Sequence, residues 1–304
     1  MRLSVPRLFV RWPALALLLN ALVWGTSWWP FRHLQSLGLH PLWATVFVYA
    51  VAVAVIVVAR PAALGQLLRT PVLWVLLLAA GTTNAAFNWA VVIGDVVRVV
   101  LLFYLMPLWA ALLARVLLHE ALSRAALARV LLALAGAAIV LWPEAASGWD
   151  QLPLPRSLPD WLGVVGGFSF ALNNVMLRRE AHRPEEGRAL AMFGGGAVVA
   201  GGLASVLALQ GLIAPPPVPS LSWLAGIGAL ALMFLGGNLA LQFGAARLRA
   251  NVTSVVMLTE VVFASVSAQW LGAGVLTPRL LLGGSLIVLA ALLSAFEPAG
   301  EAAH

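Results

Sequence analysis

Apolar residues along this chain come in blocks of about 20, the length an α-helix needs to cross a bilayer. The blocks fall near 12–31, 41–59, 71–92, 96–118, 123–142, 159–177, 189–210, 221–245, 251–271 and 277–296. Each is closed by turn or charge chemistry: Pro41, Pro71, Pro143, Pro159, the run Pro215–Pro219 and Pro278 all stand at or near boundaries, where a missing N–H costs least. No period of two recurs, which disfavours a lipid-facing β-barrel. The pattern predicts ten transmembrane helices.

The blocks repeat. Moving Leu101–Ser123 forward by 154 positions lays it over Val255–Thr277, so that Trp109 meets Phe263 and Ser123 meets Thr277. The same shift carries Asn84 onto Asn238, Asn88 onto Gln242 and Trp89 onto Phe243. The chain therefore reads as two five-helix repeats, 1–142 and 159–304, joined by an external linker at 143–158. With five spans in each, the second repeat enters the membrane from the opposite side, which makes the pair inverted around a central cavity, the design of many secondary transporters.

Composition agrees with the pattern. Apolar residues make up 62% of the 304, charged residues 10%, and mean hydropathy is +0.98, values that place the chain in the membrane rather than among soluble domains. The net charge of +7 comes from arginine alone, since lysine is absent. With the N-terminus in the cytoplasm, only Arg32, Arg98, Arg156 and Arg279 fall outside; all the others except Arg115, near a span end, fall inside. This bias predicts a multi-pass membrane protein with both termini cytoplasmic. The basic stretch before the first block also fits a cleavable leader, but that block is as long as the others, which favours a retained helix. The basic charge orients the chain in lipid, so no nucleic-acid partner is expected.

Missing residue types exclude several chemistries. Without lysine there is no Walker-A loop and no Schiff base, and without cysteine no disulfide or thiolate chemistry. The five histidines show no metal-ligand spacing, and no hydrolase or nucleotide fingerprint is present. No enzyme activity, metal or cofactor is expected.

What stands out is a set of polar groups inside the spans. Asn84 and Asn88, four apart, share a helix face, and Asn238 and Gln242 repeat the arrangement. Two such pairs could line one midplane cavity, or serve as hydrogen-bonding contacts between helices, each worth about 1 kcal/mol. Glu260 is the one carboxylate near the middle of a span. A charge there costs roughly 3 kcal/mol on an isolated helix, so Glu260 must face a cavity, be paired or be protonated. It is a candidate for proton coupling or for recognising a substrate amine. Tyr104 precedes Pro107, whose missing N–H predicts a local bend and a hinge in the fourth span. In the first span, Trp24 and Ser27 share a face with Asn20, and Asn173 and Asn174 occupy the equivalent region of the second half. The candidate substrate-binding set is Trp24, Ser27, Asn84, Asn88, Tyr104, Asn174, Asn238, Gln242 and Glu260. Trp28, Trp29, Trp43, Trp142, Trp149 and Trp161 are expected at the interfacial belts, and the glycine clusters at Gly163–Gly167, Gly194–Gly202 and Gly283–Gly284 at helix contacts.

Particular stretches carry a likeness: WGTSW at Trp24–Trp28, the Pro107–Glu120 arrangement followed by ALS, its echo TEVVFA at Thr259–Ala264, and GGSLIVL at Gly283–Leu289. They resemble EamA-type members of the drug/metabolite transporter superfamily. The resemblance implies a ten-helix inverted-repeat fold with a central cavity, and export as the commonest direction. The chain departs from the family pattern at Val261, where proline is usual, at Gly274, where a glutamate is usual, and in the second span, where Phe47 and Tyr49 occupy the region of a frequent arginine. The resulting expectation is an all-α membrane transporter that exports a small amphipathic metabolite, foremost an amino acid or related compound, by alternating access. The rivals are a multidrug exporter of organic cations and, from another class, a membrane-embedded enzyme or structural partner. The expected partners are the substrate, the bilayer and candidate coupling protons, with the chain acting as monomer or homodimer.

Overall fold

The computed structural model describes residues 7–117, 119, 124–142, 154–180, 182–245, 256–257 and 259–295. Among them all regular structure is helical: α1 (Arg7–Thr26), α2 (Trp28–Ser36), α3 (Pro41–Ala59), α4 (Ala62–Arg69), α5 (Pro71–Ile93), α6 (Val96–Phe103), α7 (Met106–Leu117), α8 (Arg124–Leu141), α9 (Leu158–Arg179), α10 (Glu185–Leu209), α11 (Leu221–Ala245), α12 (Thr259–Trp270) and α13 (Pro278–Ala295). Seven stretches among the described residues are long and apolar enough to cross a membrane, and Pro278–Leu293 is a shorter apolar helix. Three of the ten expected spans are not among the seven: besides Pro278–Leu293, these are α9 and α12. Helix α9 is diluted by Asp160, Asn173, Asn174 and three glycines, and α12 has only 12 described residues.

Local chemistry explains most boundaries. Pro41 and Pro71 open α3 and α5 in the first turn, where no N–H is needed. His40 caps α3 by accepting the Leu42 N–H at 3.3 Å on Nδ1. That bond requires an unprotonated nitrogen, and burial lowers the pKa of His40 in the same direction. Asp95 caps α6 by accepting the Arg98 N–H at 2.9 Å. The first span is longer than the apolar pattern indicated and breaks at Ser27, continuing to Ser36 as α2. The fourth breaks at Tyr104–Leu105, where the bend was expected. The connection at 60–70 holds α4, which buries Ala63 and Leu67 and leaves Leu64 and Leu68 exposed.

Tryptophan and glycine positions refine the expected picture. Trp29, Trp142 and Trp161 are exposed, but Trp28 is buried; its Nε1 donates to Ser267 Oγ at 3.0 Å and the Arg32 guanidinium lies 5.2 Å over its ring. Trp28 is thus an interhelical contact rather than a belt residue, because the break at Ser27 turns it inward. Trp149 lies outside the described residues. Glycine permits backbone-to-backbone contact at the α5–α10 crossing, where a Cβ on Gly195 would stand 2.0 Å from the Leu77 carbonyl oxygen. Gly167 serves the α9–α6 contact in the same way, since a Cβ there would meet the Phe103 carbonyl oxygen at 2.4 Å. Gly202, by contrast, faces open space, so the packing role assigned to its cluster does not extend to it.

Most helix pairs join the two halves of the chain. α5 packs on α9 and α10, α3 on α10, α8 on α13, α1 on α11 and α12, and α6 and α7 on α9. Exchanging each span for the one five further on turns α5–α9 into α11–α1, α6/α7–α9 into α12–α1, and α5–α10 into α11–α3, all of which occur, while α3–α10 and α8–α13 map onto themselves. The main buried core gathers Trp28, Phe31 and Leu34 with the valine-rich α6 and the facing sides of α8, α11 and α13.

Candidate functional site

A cavity of about 700 Å³ lies among α1, α3, α5–α11, α12 and α13. Its lining begins near the middle of the helices, at Trp24, Tyr49, Phe87 and Phe103, and continues along α7 to Ala114 and into the first turns of α8 at Ala126 and Arg129. Aromatic rings form much of the wall. Trp24 stacks on Phe234 with centroids 4.7 Å apart, and Phe103 meets Phe87 and Phe170 at 4.8 and 5.4 Å. Flat apolar surfaces of this kind suit the hydrophobic body of a ligand.

Polar groups punctuate the wall at few points. Tyr104 occupies the break between α6 and α7, and its hydroxyl donates to Glu260 Oε2 at 3.2 Å, with the Met257 carbonyl at 3.4 Å. The helix break thereby places a phenol against the Glu260 carboxylate in the first turn of α12. Tyr49 donates to Asn84 Oδ1 at 2.7 Å, which fixes the orientation of that amide and leaves its Nδ2 as the donor it can offer. Asn20 donates through Nδ2 to the Gly237 carbonyl at 2.8 Å. Its Oδ1, in a residue 1% exposed, has no partner among the described residues. Asn173 likewise has a buried Oδ1 without a partner.

Six of the nine expected site residues line the cavity: Trp24, Asn84, Tyr104, Asn174, Asn238 and Glu260. Two do not. Ser27 sits at the α1–α2 break, buried, with its hydroxyl donating to the Trp24 carbonyl at 2.9 Å. Asn88 is fully buried and donates to Thr45 Oγ1 at 3.1 Å. It shares a face with Asn84, but four residues carry it about 6 Å further along α5, past the end of the cavity and against α3. For Asn88 the interhelical reading is the one observed. The side chains of Gln242 and the hinge candidate Pro107 lie outside the described residues. Asn20, Tyr49, Thr83, Arg129 and Asn173 join the lining. Asn20 was legible from its helical register with Trp24, and Asn173 from its place beside Asn174. Tyr49 and Arg129 had no local signal, because a tyrosine in a span and an arginine near a span end are ordinary.

The other end of the bundle is packed and cross-tied. Arg98 forms a two-point ion pair with Asp160, Nε to Oδ1 at 2.7 Å and Nη2 to Oδ2 at 3.1 Å, and its Nη1 donates to the Val140 carbonyl at 2.8 Å. Asp95 accepts the Val275 N–H at 3.0 Å, and the Val96 N–H donates to the Ala273 carbonyl at 3.2 Å. Arg32 donates to the Gly94 and Val91 carbonyls at 2.6 and 3.2 Å, and Arg279 to that of Trp142 at 2.7 Å. Beneath this layer the aliphatic side chains of α6 are buried without a gap from Val99 to Leu102.

Comparison with known proteins follows the same lines. A solved structure, described only as the crystal structure of a protein, superposes with a TM-score of 0.57 at 21% identity, covering 93% of this chain and 96% of the other. At that identity the likeness shows the fold alone. No curated protein matches the sequence. Residues 11–142 match the family model of the EamA-like transporter family. The apolar helices fit a multi-pass membrane protein, and the first part of the bundle, residues 11–142, carries the likeness to the EamA-like transporter family, a member of the drug/metabolite transporter superfamily.

Proposed function

We propose that the protein is a secondary transporter that exports a small amphipathic metabolite, foremost an amino acid or related compound, across the bacterial inner membrane by alternating access. One observation carries the reading: a cavity lined by equivalent positions of the two halves, Asn84 with Asn238 and Asn20 with Asn174, extends to one end of the bundle while the other is cross-tied. The exchange of helix contacts between halves supports two inverted five-helix repeats, 1–142 and 159–304, linked by 143–158. Arginine distribution assigns the cavity's end to the cytoplasm and the cross-tied end to the outside, with both termini cytoplasmic. Substrate would then enter from the cytoplasm, its body against Trp24 and its polar groups at Asn84, Asn174, Asn238 and Glu260. The break before Pro107 supplies a hinge, and Glu260 is placed to couple a proton. The cavity also suits an organic cation, because its carboxylate lies among aromatic walls.

The test is efflux from proteoliposomes loaded in turn with labelled amino acids and with a quaternary ammonium dye. Outward movement of an amino acid, with slower movement in the Asn84→Ala protein, supports the reading. Movement of the dye alone transfers the function to cations, and movement of neither overturns transport through this cavity.

A further inference from the structure

The polar groups of the cavity are not balanced between the halves. The 154-residue shift that pairs Asn84 with Asn238 pairs Glu260 with Met106, and both of these line the cavity. A carboxylate therefore stands on one side and a thioether on the other. Among the described residues no arginine forms an ion pair with Glu260; the interaction it makes is with the Tyr104 hydroxyl, at 3.2 Å. Two further oxygens share the imbalance. Asn20, 1% exposed, donates its amide N–H to the Gly237 carbonyl, so Oδ1 is an acceptor, and it has no partner among the described residues. Asn173 Oδ1 is in the same state in a residue 2% exposed. In this wall the buried acceptor oxygens and a carboxylate whose described partner is a phenol call for hydrogen-bond donors and positive charge, while the arginine of the lining, Arg129, stands where the cavity reaches the first turns of α8.

Resting on the transport reading, we infer that Glu260, positioned by Tyr104 and assisted by the acceptor oxygens of Asn20 and Asn173, forms a cation subsite that takes the ammonium group of a protonated amine. An ammonium brings donors and no acceptor, which is what these oxygens lack, while a ligand carboxylate would face Glu260 at a net repulsion. The aromatic walls at Trp24, Phe103 and Phe170 hold the ligand's flat apolar body. The substrate class is an amine with a hydrophobic body, either alone or as the amino end of an amino acid. A small inorganic cation would use the same oxygens, and the test separates the two.

Four probes share one phenylethyl body: phenethylamine, phenylalanine, 2-phenylethanol and 3-phenylpropionate. Each is titrated by calorimetry against the purified full chain and against the Glu260→Gln, Glu260→Asp and Tyr104→Phe proteins, with and without sodium chloride. The expected order is amine, then zwitterion, then alcohol, with the anion weakest. Glu260→Gln should weaken the amine at least tenfold and leave the alcohol within twofold, Glu260→Asp should recover part of the loss, and Tyr104→Phe should fall between. Unchanged amine affinity in Glu260→Gln, a preference for the anion, no binding by any probe, or a Glu260-dependent sodium effect without amine would each overturn the inference. Failure of the wider reading looks different: the amine would bind through Glu260, yet proteoliposomes would not move it.

Discussion

Replacing Arg98 with alanine tests whether the tie at the closed end is broken during transport. The Asp160 side chain is 4% exposed and that of Arg98 31%. Without the guanidinium, the carboxylate keeps, among the described residues, the Arg156 and Ser157 N–H groups, at 3.3 and 3.5 Å, and the Ser157 side chain. Stranding one member of a buried pair costs about 3–5 kcal/mol. Water reaches Arg98 and softens that, so about 2 kcal/mol is the reasonable figure for the lost tie. If opening this end already breaks the pair, the open state loses nothing, and the closed-to-open ratio falls about 30-fold. The chain contains no cysteine, so Thr83→Cys, on the cavity wall, provides a single reporter thiol. An impermeant thiol reagent added outside right-side-out vesicles should label it about 30-fold faster in the Arg98→Ala background, and Arg98→Lys should fall between. An unchanged labelling rate together with a lower melting temperature would refute the argument and leave the pair a static brace.

Other outcomes follow from the packing and the site. Asn84→Ala should weaken substrate binding with little loss of stability, whereas Asn88→Ala should lower stability by about 1 kcal/mol through its bond to Thr45 and leave binding unchanged; denaturation and binding titrations on the same preparations separate the two. Gly195→Ala drives a methyl into the Leu77 carbonyl and should destabilise the bundle by about 2 kcal/mol or more, while Gly202→Ala should be neutral on thermal unfolding. Pro107→Ala restores an N–H at the break in the fourth span, so the transport rate should drop while affinity holds; equal loss of both would remove the hinge role.

The parts of this molecule that sequence reveals are those governed by one-dimensional periodicity. Block length and bounding prolines located the seven long apolar spans, and the helical register of Asn20, Trp24 and Asn84 pointed to one lining, because these properties belong to a single helix. What depends on how two helices cross was not visible. Asn88 has the same face as Asn84 and a different fate because α3 covers it, and Trp28 turns inward because α1 breaks one residue earlier. Tyr49 enters the wall only because α10 and α11 bring Phe193 and Phe234 against it. The cross-tied end was illegible for a similar reason: Asp95 and Arg98 lie far along the chain from Asp160, Val275 and Arg279, and all four charges look like ordinary loop charges.

The glycine crossing of α5 and α10 has a consequence for how the machine divides. Where the Leu77 carbonyl touches Gly195, backbones meet with no side chain between them, and such a joint does not slide without losing its close contact. If the bundle moves by alternating access, α5 from the first half should therefore travel with α9 and α10 from the second, on which it packs, and α1 with α11 and α12. On the transport reading proposed above, the repeated unit and the moving unit are then different cuts through one molecule, so severing the chain between its halves would separate each moving body from itself.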